Sequence, residues 1–571
     1  MAGLVLAALG LAGVWTDPIA VPIGPSGGLH WACDALSALF ALVLCAAGAA
    51  AALEGGPPRL PVAIWAIVLT PFAADGFTLA LCFGLAAVAS RGADPATRPG
   101  IEQAACGVLC LLALMALLAP PGASLDLRFA AMRAVSPEGA QATAILLLAL
   151  LGAASQLAWP ARTALQTEPV GTPLSAGMAT ASLYVLVRVL LDLCGPTASG
   201  WWAAPLLVGG AGATVLGGLR ANAEDDLLAI LDASRLGAAG LAVAGLGAAL
   251  AARDADAPAL AALALGGTLL HMVSYALADV LLALCAAAVA RGAGTLALSR
   301  LGGLIRSMPG TTLGAMAGAA SLASLPLTAG FAGRWLVLQS LLALPQTCGI
   351  WQQVGVAAVL AAVALGTALA AAAAVRLIGI GFLGRPRTPR AAAAEEPSRR
   401  VRLAVAGLAG LCALLGVWPS SILLLIRPVV ARLLDVDAAG RLLVIPAQAD
   451  GPGYAAPGIA ALLAICGVLL AWLARSRAGQ EGQRVPAWDG GLDEPPPWLP
   501  FGDPATQYSA ASASQALLQS FRYPGTPRQA WLPGVRQWAD KAARRLRRPG
   551  HGGPASLLLL VVVGLLLWGA W

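Results

Sequence analysis

The segment SRLGGLIRSMPGTTLGAMAGAASLASLPLTAGFAGRW, residues 299–335, contains an apolar helix that is interrupted within a hydrophobic stretch. Pro326 removes a backbone donor and Gly330 tolerates an irregular backbone, so we expect a discontinuous helix here. Irregular backbone at membrane depth persists only where it is buried in protein or lines a cavity, and in transporters it commonly marks ion sites. Arg334 is therefore predicted beside the break, solvated by half-helix ends and water. The alternative is an ordinary anchor at the membrane surface.

The composition predicts an all-α polytopic membrane protein. Of 571 residues, 59% are hydrophobic and 11% are charged, whereas soluble domains carry about 25% charged residues. Apolar runs long enough for a bilayer recur along the chain and predict about 14 transmembrane helices. Residues 60–90 and 403–426 are each taken as one run. Residues 1–15 are interpreted as a short first helix, because a signal peptide would begin with a basic region.

Arginine clusters organise the C-terminal part of the chain. They lie at residues 385–402 and 522–548, and basic loops stay on the cytoplasmic side during insertion. Topology signals and contacts with anionic lipid explain them better than nucleic-acid binding. We divide the chain into N-terminal transmembrane helices (1–60), a transmembrane core (61–384), further helices with a basic loop (385–474), a cytoplasmic basic Pro-rich segment (475–554) and a terminal transmembrane helix (555–571).

Redox and metal chemistry are not expected on this chain. The ten cysteines are scattered singly through apolar segments, and none of their spacings is typical of a zinc site, an iron–sulfur cluster or a disulfide framework. The sequence also lacks a Gly-rich phosphate loop. We therefore predict no cofactor, no metal site and no catalytic residue.

Ionisable residues inside apolar runs form two stripes. Each such charge costs roughly 2.5 to 3.5 kcal/mol on insertion scales, so those that remain usually face the bundle interior and pair. A spacing of four residues places each set along one helix face; the sets are Thr180, Tyr184, Arg188 and Asp192, and His271, Tyr275 and Asp279. Arg188 and Asp192 are expected to pair. The second stripe has the spacing of a proton relay, and the alternative is that it only fixes helix packing.

Several motifs resemble the antiporter-like subunits of complex I and of Mrp-type antiporters, and are most similar to the hydrogenase-4 component B type. A His-led helix at His271 precedes Gly302-Gly303-Leu304, Met308-Pro309, and the broken segment Leu325-Pro326 with Gly330-Phe331. Further matches are CDALSAL (33–39), LYVLVRV (183–189), AEDDLLAILDAS (223–234), RLIGIGFLGRPRTP (376–389) and the tail from AWDGGLDEPPPWLPFGDPATQYSA. The resemblance implies two inverted five-helix repeats with broken helices, each forming half of a proton path.

The charged positions of that family are replaced here. The resemblance places Gly84 at a family glutamate and Thr180 at a family lysine. Asp279 stands at another family lysine, and Arg334 stands where the family has lysine or glutamate. The only lysine of the chain is Lys541. Gly84 and Thr180 are thus lost channel positions, and Asp279 is predicted to pair with Arg334 as a structural lock or as an altered proton carrier.

The resemblance implies an inner-membrane, multi-pass subunit of a hydrogenase or complex-I-like assembly, moving protons or sodium ions while other membrane and peripheral subunits carry electrons. At most one half-channel is expected to work, with candidates His271, Tyr275, Asp279, Arg334, Arg188 and Asp192. The alternatives are a non-conducting structural subunit and a stand-alone monovalent cation/proton antiporter.

Overall fold

The structure is a computed structural model that describes residues 19–21, 28–55, 59–91, 98–120, 126–157, 172–195, 200–347, 349–434, 445–446 and 453–477. Its helices are α1 (Ala35–Glu54), α2 (Leu60–Leu69), α3 (Gly76–Arg91), α4 (Arg98–Leu118), α5 (Phe129–Met132), α6 (Gly139–Leu157), α7 (Thr172–Val187), α8 (Ala203–Ala223), α9 (Leu227–Asp254), α10 (Pro258–Ala293), α11 (Leu304–Ser307), α12 (Pro309–Leu322), α13 (Ala329–Ala343), α14 (Ile350–Arg376), α15 (Pro389–Ala392), α16 (Arg399–Val417), α17 (Ser420–Leu434) and α18 (Ala456–Arg477).

Short irregular elements complete the described chain. Two antiparallel strand pairs are β1 (Ile19–Val21) with β2 (Leu29–Trp31), and β3 (Ile445–Pro446) with β4 (Gly453–Tyr454). Three-residue or four-residue 3₁₀ turns occupy Thr70–Phe72, Gly200–Trp202, Leu298–Arg300 and Leu344–Thr347. Helices α7 and α14 each end in a π-helical turn, at Arg188–Leu193 and Leu377–Phe382. π-helical turns are rare and often occur at functional sites.

Local sequence signals explain where the central helices begin and end. Asp34 caps α1 by accepting the backbone N–H of Ser37 at 2.8 Å, and Asp226 caps α9 in the same way. Helix α10 starts at Pro258, where a missing N–H costs nothing, and ends at Gly294 in the left-handed region. These caps fix long helices in a chain whose apolar periodicity is weak.

The all-α membrane architecture is confirmed, with two changes in detail. Nine helices of the described residues are long and apolar enough to cross a bilayer, and three shorter apolar helices accompany them. The run at 60–90 is two helices, because Thr70–Asp75 interrupts it, and the run at 403–426 divides between α16 and α17. The total of about 14 spans stays a prediction. Residues 1–15, most of 475–554 and the terminal helix at 555–571 lie outside the described residues.

Helix α10 is the centre of the bundle. Its apolar window is completely buried, and it packs against α1, α7, α9, α12, α13, α16 and α17. Close approach of neighbouring helices depends on glycine: Gly217 of α8 faces the backbone of Gly237 in α9, and a Cβ there would overlap it. Gly333 of α13 lies against the backbone of His271 in the same way. The polar stripe of α10 therefore lies deep in protein.

The predicted helix break is present. Helix α12 ends at Leu322 and α13 begins at Ala329, and Ser324 and Leu327 between them adopt φ values of +54° and +66°. Gly330 differs from the prediction, because it lies in the first turn of α13. It is needed for space: a Cβ there would overlap the carbonyl oxygen of Ser321.

Candidate functional site

Three titratable side chains follow one face of α10, as their spacing predicts. His271 and Asp279 are each 1% exposed and Tyr275 is 8% exposed. The rings of His271 and Tyr275 are 6.0 Å apart between centroids. The imidazole Nε2 lies 3.2 Å from the carbonyl oxygen of Ala238. Because a carbonyl only accepts, Nε2 carries a proton in this contact.

Asp279 pairs with Arg235, a residue of α9 that the sequence interpretation overlooked. The Nε of Arg235 donates to Oδ2 of Asp279 at 2.7 Å, and its Nη1 donates to Asp232 Oδ1 at 2.5 Å. The predicted pair of Asp279 and Arg334 is wrong: in the part of the chain that the structure describes, Arg334 forms no ion pair with it. The reason is geometric, since Arg235 reaches Asp279 from the neighbouring helix.

Arg334 lies at the helix break and is buried in the protein. It is 6% exposed, and its Nη1 donates to the carbonyl oxygen of Leu322 at 2.8 Å. Leu322 is the last residue of α12, where backbone carbonyls lack helical partners and carry the negative end of the helix dipole. The interruption therefore supplies the arginine with an acceptor that a continuous helix would not offer.

A cleft opens beside this group of residues. It is small, with a free volume of about 20 Å³, and Tyr275 and Arg334 both line it. Helices α8, α9 and α14 contribute the hydroxyls of Thr214, Ser234 and Thr367. Each hydroxyl donates to a carbonyl of its own helix. The cleft thus joins the helix break to the polar stripe of α10.

Arg188 forms the second polar cluster, at the end of α7. The predicted pair with Asp192 is confirmed at 2.7 Å. The same guanidinium also binds Asp34 at 2.6 Å, Ser37 at 2.8 Å and the hydroxyl of Tyr184 at 2.9 Å. All of its donor atoms are occupied, so this cluster ties α7 to the start of α1.

The two family positions in the first half carry no charge and contact apolar or backbone groups. Thr180 is 4% exposed and donates to the carbonyl oxygen of Ala176 at 3.0 Å. A Cβ at Gly84 would lie 3.1 Å from a methyl group of Val108, so this glycine allows α3 and α4 to approach. A nearby cavity with a free volume of about 10 Å³ is lined almost entirely by apolar side chains, with Ser182 as its hydroxyl.

Of the four ion partners missed from the sequence, three lie in or directly after motifs that the resemblance had already marked. Asp232 lies in AEDDLLAILDAS, and Arg235 is the residue directly after that motif. Asp34, within CDALSAL, caps the start of α1. Arg133, which donates to Asp192 at 2.8 Å, directly follows the short helix α5, where the resemblance marked no motif. A charge inside an apolar window was the available signal for Asp232 and Arg235.

Comparisons with known proteins agree with this architecture. The family described as NADH:quinone oxidoreductase/Mrp antiporter, transmembrane, matches residues 100–361. An uncharacterized protein of Mycobacterium tuberculosis is 31% identical over 567 residues, covering 90% of this chain and 84% of that protein. Hydrogenase-4 component B of Escherichia coli is 28% identical over 321 residues, 55% of this chain and 47% of that protein.

A solved structure shares the fold. In the Mrp complex from Dietzia sp. DQ12-45-1b, one chain superposes with a TM-score of 0.63 at 21% identity, covering 100% of this chain and 60% of that chain. The fold and its apolar helices define a multi-pass membrane protein. The chain belongs to the family of antiporter-like membrane subunits of complex I, Mrp antiporters and hydrogenase-type complexes.

Proposed function

We propose that this chain is a plasma-membrane subunit that conducts protons through its second half while partner subunits carry electron transfer. The likeness to hydrogenase-4 component B supports a redox complex as the host. The observation that carries the proton path is that Arg235 holds two carboxylates close together, the buried Asp279 of the α10 stripe and Asp232, whose side chain is 47% exposed.

The chemistry of these groups divides into fixed charges and proton carriers. Arginine stays protonated, so Arg235 and Arg334 hold positive charge and do not release protons. Carboxylates and imidazole titrate, and Asp232, Asp279 and His271 are therefore the carriers. Asp279 Oδ1, Tyr275 OH and His271 Nδ1 are buried atoms without a protein hydrogen-bond partner. Water bridging these atoms would complete a relay along the helix face.

The first half has a structural role in this proposal. Gly84 and Thr180, which stand at two charged positions of the family, have no titratable side chain, and the neighbouring cavity is apolar. Arg188 is saturated by carboxylates and hydroxyls and has no free donor to exchange. Asp192 is shared between two guanidinium groups, from Arg188 and Arg133. Such a cluster stabilises the ends of the helices and leaves transport to the second half.

Proton flux in proteoliposomes tests the assignment. The chain is purified in mild detergent with its co-purifying subunits and reconstituted around a pH-sensitive dye, and a potassium diffusion potential drives uptake. Asp279→Asn is expected to lower the flux by about tenfold or more, because it removes a proton carrier. Thr180→Val is the matched control and is expected to retain the flux.

The outcomes separate the proposals. Flux that is lost in Thr180→Val and retained in Asp279→Asn would place transport in the first half. A wild-type preparation that conducts no protons would support the non-conducting structural subunit. Purification without redox subunits, together with flux that persists, would support the stand-alone antiporter.

A further inference from the structure

Arg334 has a buried positive charge that no carboxylate of the described residues contacts. The residue is 6% exposed, and its Nη1 donates to the carbonyl oxygen of Leu322. Its Nε is buried and makes no hydrogen bond to the described chain. A carbonyl oxygen satisfies one donor and carries only part of a charge. Isolated buried charges are costly, so they are found with partners.

The carboxylates of Asp279 and Asp232 are held by another cation. Arg235 binds Asp279 at 2.7 Å and Asp232 at 2.5 Å. These two carboxylates exceed one guanidinium by one formal charge, but Asp232 lies at the edge of the group, with its side chain 47% exposed. The fully buried pair of Arg235 and Asp279 is neutral. Among the described residues, Arg334 is therefore a buried guanidinium that no carboxylate contacts.

A second buried donor lies on the same cleft. The hydroxyl of Tyr275 has no hydrogen-bond partner among the described residues, and the residue is 8% exposed. Tyr275 and Arg334 both line the cleft between α8, α9, α10, α13 and α14, whose free volume of about 20 Å³ suits one small occupant. The three other cleft hydroxyls donate hydrogen bonds to carbonyl oxygens of their own helices. Two donors of the cleft thus have no partner among the described residues, the Nε–H of Arg334 and the hydroxyl of Tyr275. Both lie beside the positive charge of the Arg334 guanidinium.

We propose that Arg334 and Tyr275 bind one small monovalent inorganic anion, of the class of chloride, in this cleft. Two donors and a guanidinium recognise an anion, as charge-assisted hydrogen bonds do elsewhere. Water satisfies the donors but leaves the charge uncompensated, and a metal cation is repelled by it. The site goes beyond the proposed function, because anion binding requires neither proton conduction nor a partner subunit.

Chloride binding is measured directly by the excess line width of ³⁵Cl in NMR of the purified full chain in detergent. The expected result is an excess width that bromide displaces in a saturable manner and gluconate, at equal ionic strength, does not. Arg334→Gln is expected to lose this displaceable width completely, and Tyr275→Phe to weaken the apparent affinity several-fold. Arg402→Gln is the matched control and is expected to keep the displaceable width, because Arg402 is an exposed residue of the arginine cluster at 385–402.

Each outcome decides the proposal. An absent displaceable signal in the wild-type protein, or one that survives in Arg334→Gln, overturns it and leaves water as the occupant. A signal that Arg402→Gln removes assigns the anion to the basic loop and also overturns it. If Arg334→Gln does not fold, the decision passes to Tyr275→Phe, where an unchanged affinity counts against the site and a weakened one supports it.

Discussion

The partnership of Asp279 with Arg235 can be tested by replacing both residues with apolar side chains of similar size. Arg235→Met alone leaves Asp279 buried and unpaired, and Asp279→Leu alone leaves Arg235 with Asp232. The double variant Arg235→Met/Asp279→Leu removes both charges from the pair. A second cycle with Arg334→Met and Asp279→Leu tests the pair that the sequence suggested and that the structure does not contain.

The expected energies follow from the geometry. At the observed 2.7 Å, the Coulomb attraction with an effective dielectric constant near 20 is about 6 kcal/mol. Desolvation of both groups offsets much of it, and breaking a buried pair from one side costs about 3 to 5 kcal/mol. We expect Arg235→Met to lose about 4 kcal/mol of unfolding free energy and the double variant to lose about 1 kcal/mol or less.

The measurement is reversible unfolding in mixed micelles by titration with dodecyl sulfate, followed by tryptophan fluorescence. The Arg235 cycle is expected to give a coupling energy of about 3 kcal/mol or more, to which any cost of Asp279→Leu alone adds. The Arg334 cycle is expected to be additive within about 0.5 kcal/mol, because Arg334 and Asp279 have no common hydrogen-bond or ion-pair partner among the described residues. A double Arg235 variant as unstable as the sum of its single variants would refute the reasoning, as would rescue of Asp279→Leu by Arg334→Met.

Three further changes probe the helix ends and the break by the same unfolding titration. Arg188→Met leaves Asp34 and Asp192 without their shared cation and is expected to cost about 4 kcal/mol, whereas Thr180→Val costs about 1 kcal/mol or less; equal losses would contradict the clamp. Gly330→Ala places a methyl group on the Ser321 carbonyl and is expected to cost about 2 kcal/mol, while Gly407→Ala, in open space, stabilises slightly; a neutral Gly330→Ala would mean that the break adapts. Tyr454→Phe removes the acceptor of the Leu327 N–H at 3.2 Å and is expected to cost about 1 kcal/mol, and no loss would show that water replaces it.

Composition and motif order were sufficient to predict the membrane class and the position of the helix break. Pro326 and the apolar runs act through local backbone rules, which a sequence displays directly. The same holds for Arg188 and Asp192, because partners four residues apart on one helix need no knowledge of packing. Predictions of this kind depend on a single helix and were therefore accessible.

Pairs between helices were not accessible in this way. Asp279 has a choice of guanidinium groups on separate helices, and the choice depends on how α9 and α13 pack against α10. Close contacts through Gly333 and Gly237 set those positions, and their consequences for a side chain cannot be read from spacing. The divided run at 60–90 is similar, because its turn is bonded by groups distant in sequence: the hydroxyl of Tyr184 donates to the carbonyl oxygen of Pro71, and the backbone N–H of His30 donates to Asp75.

The break and the arginine now have one explanation, found in the last turn of α12. The carbonyl oxygens of Ala319, Ala320 and Ser321 accept N–H groups of Ala323, Leu325 and Ser324 at 2.8, 3.1 and 3.1 Å. That of Leu322 accepts the guanidinium of Arg334 at 2.8 Å. The arginine thus completes the satisfaction of a helix end that would otherwise leave a buried acceptor unpaired. Because arginine keeps its proton, this break holds a fixed positive charge, and under the proposed function the carriers of the second half are the carboxylates and His271.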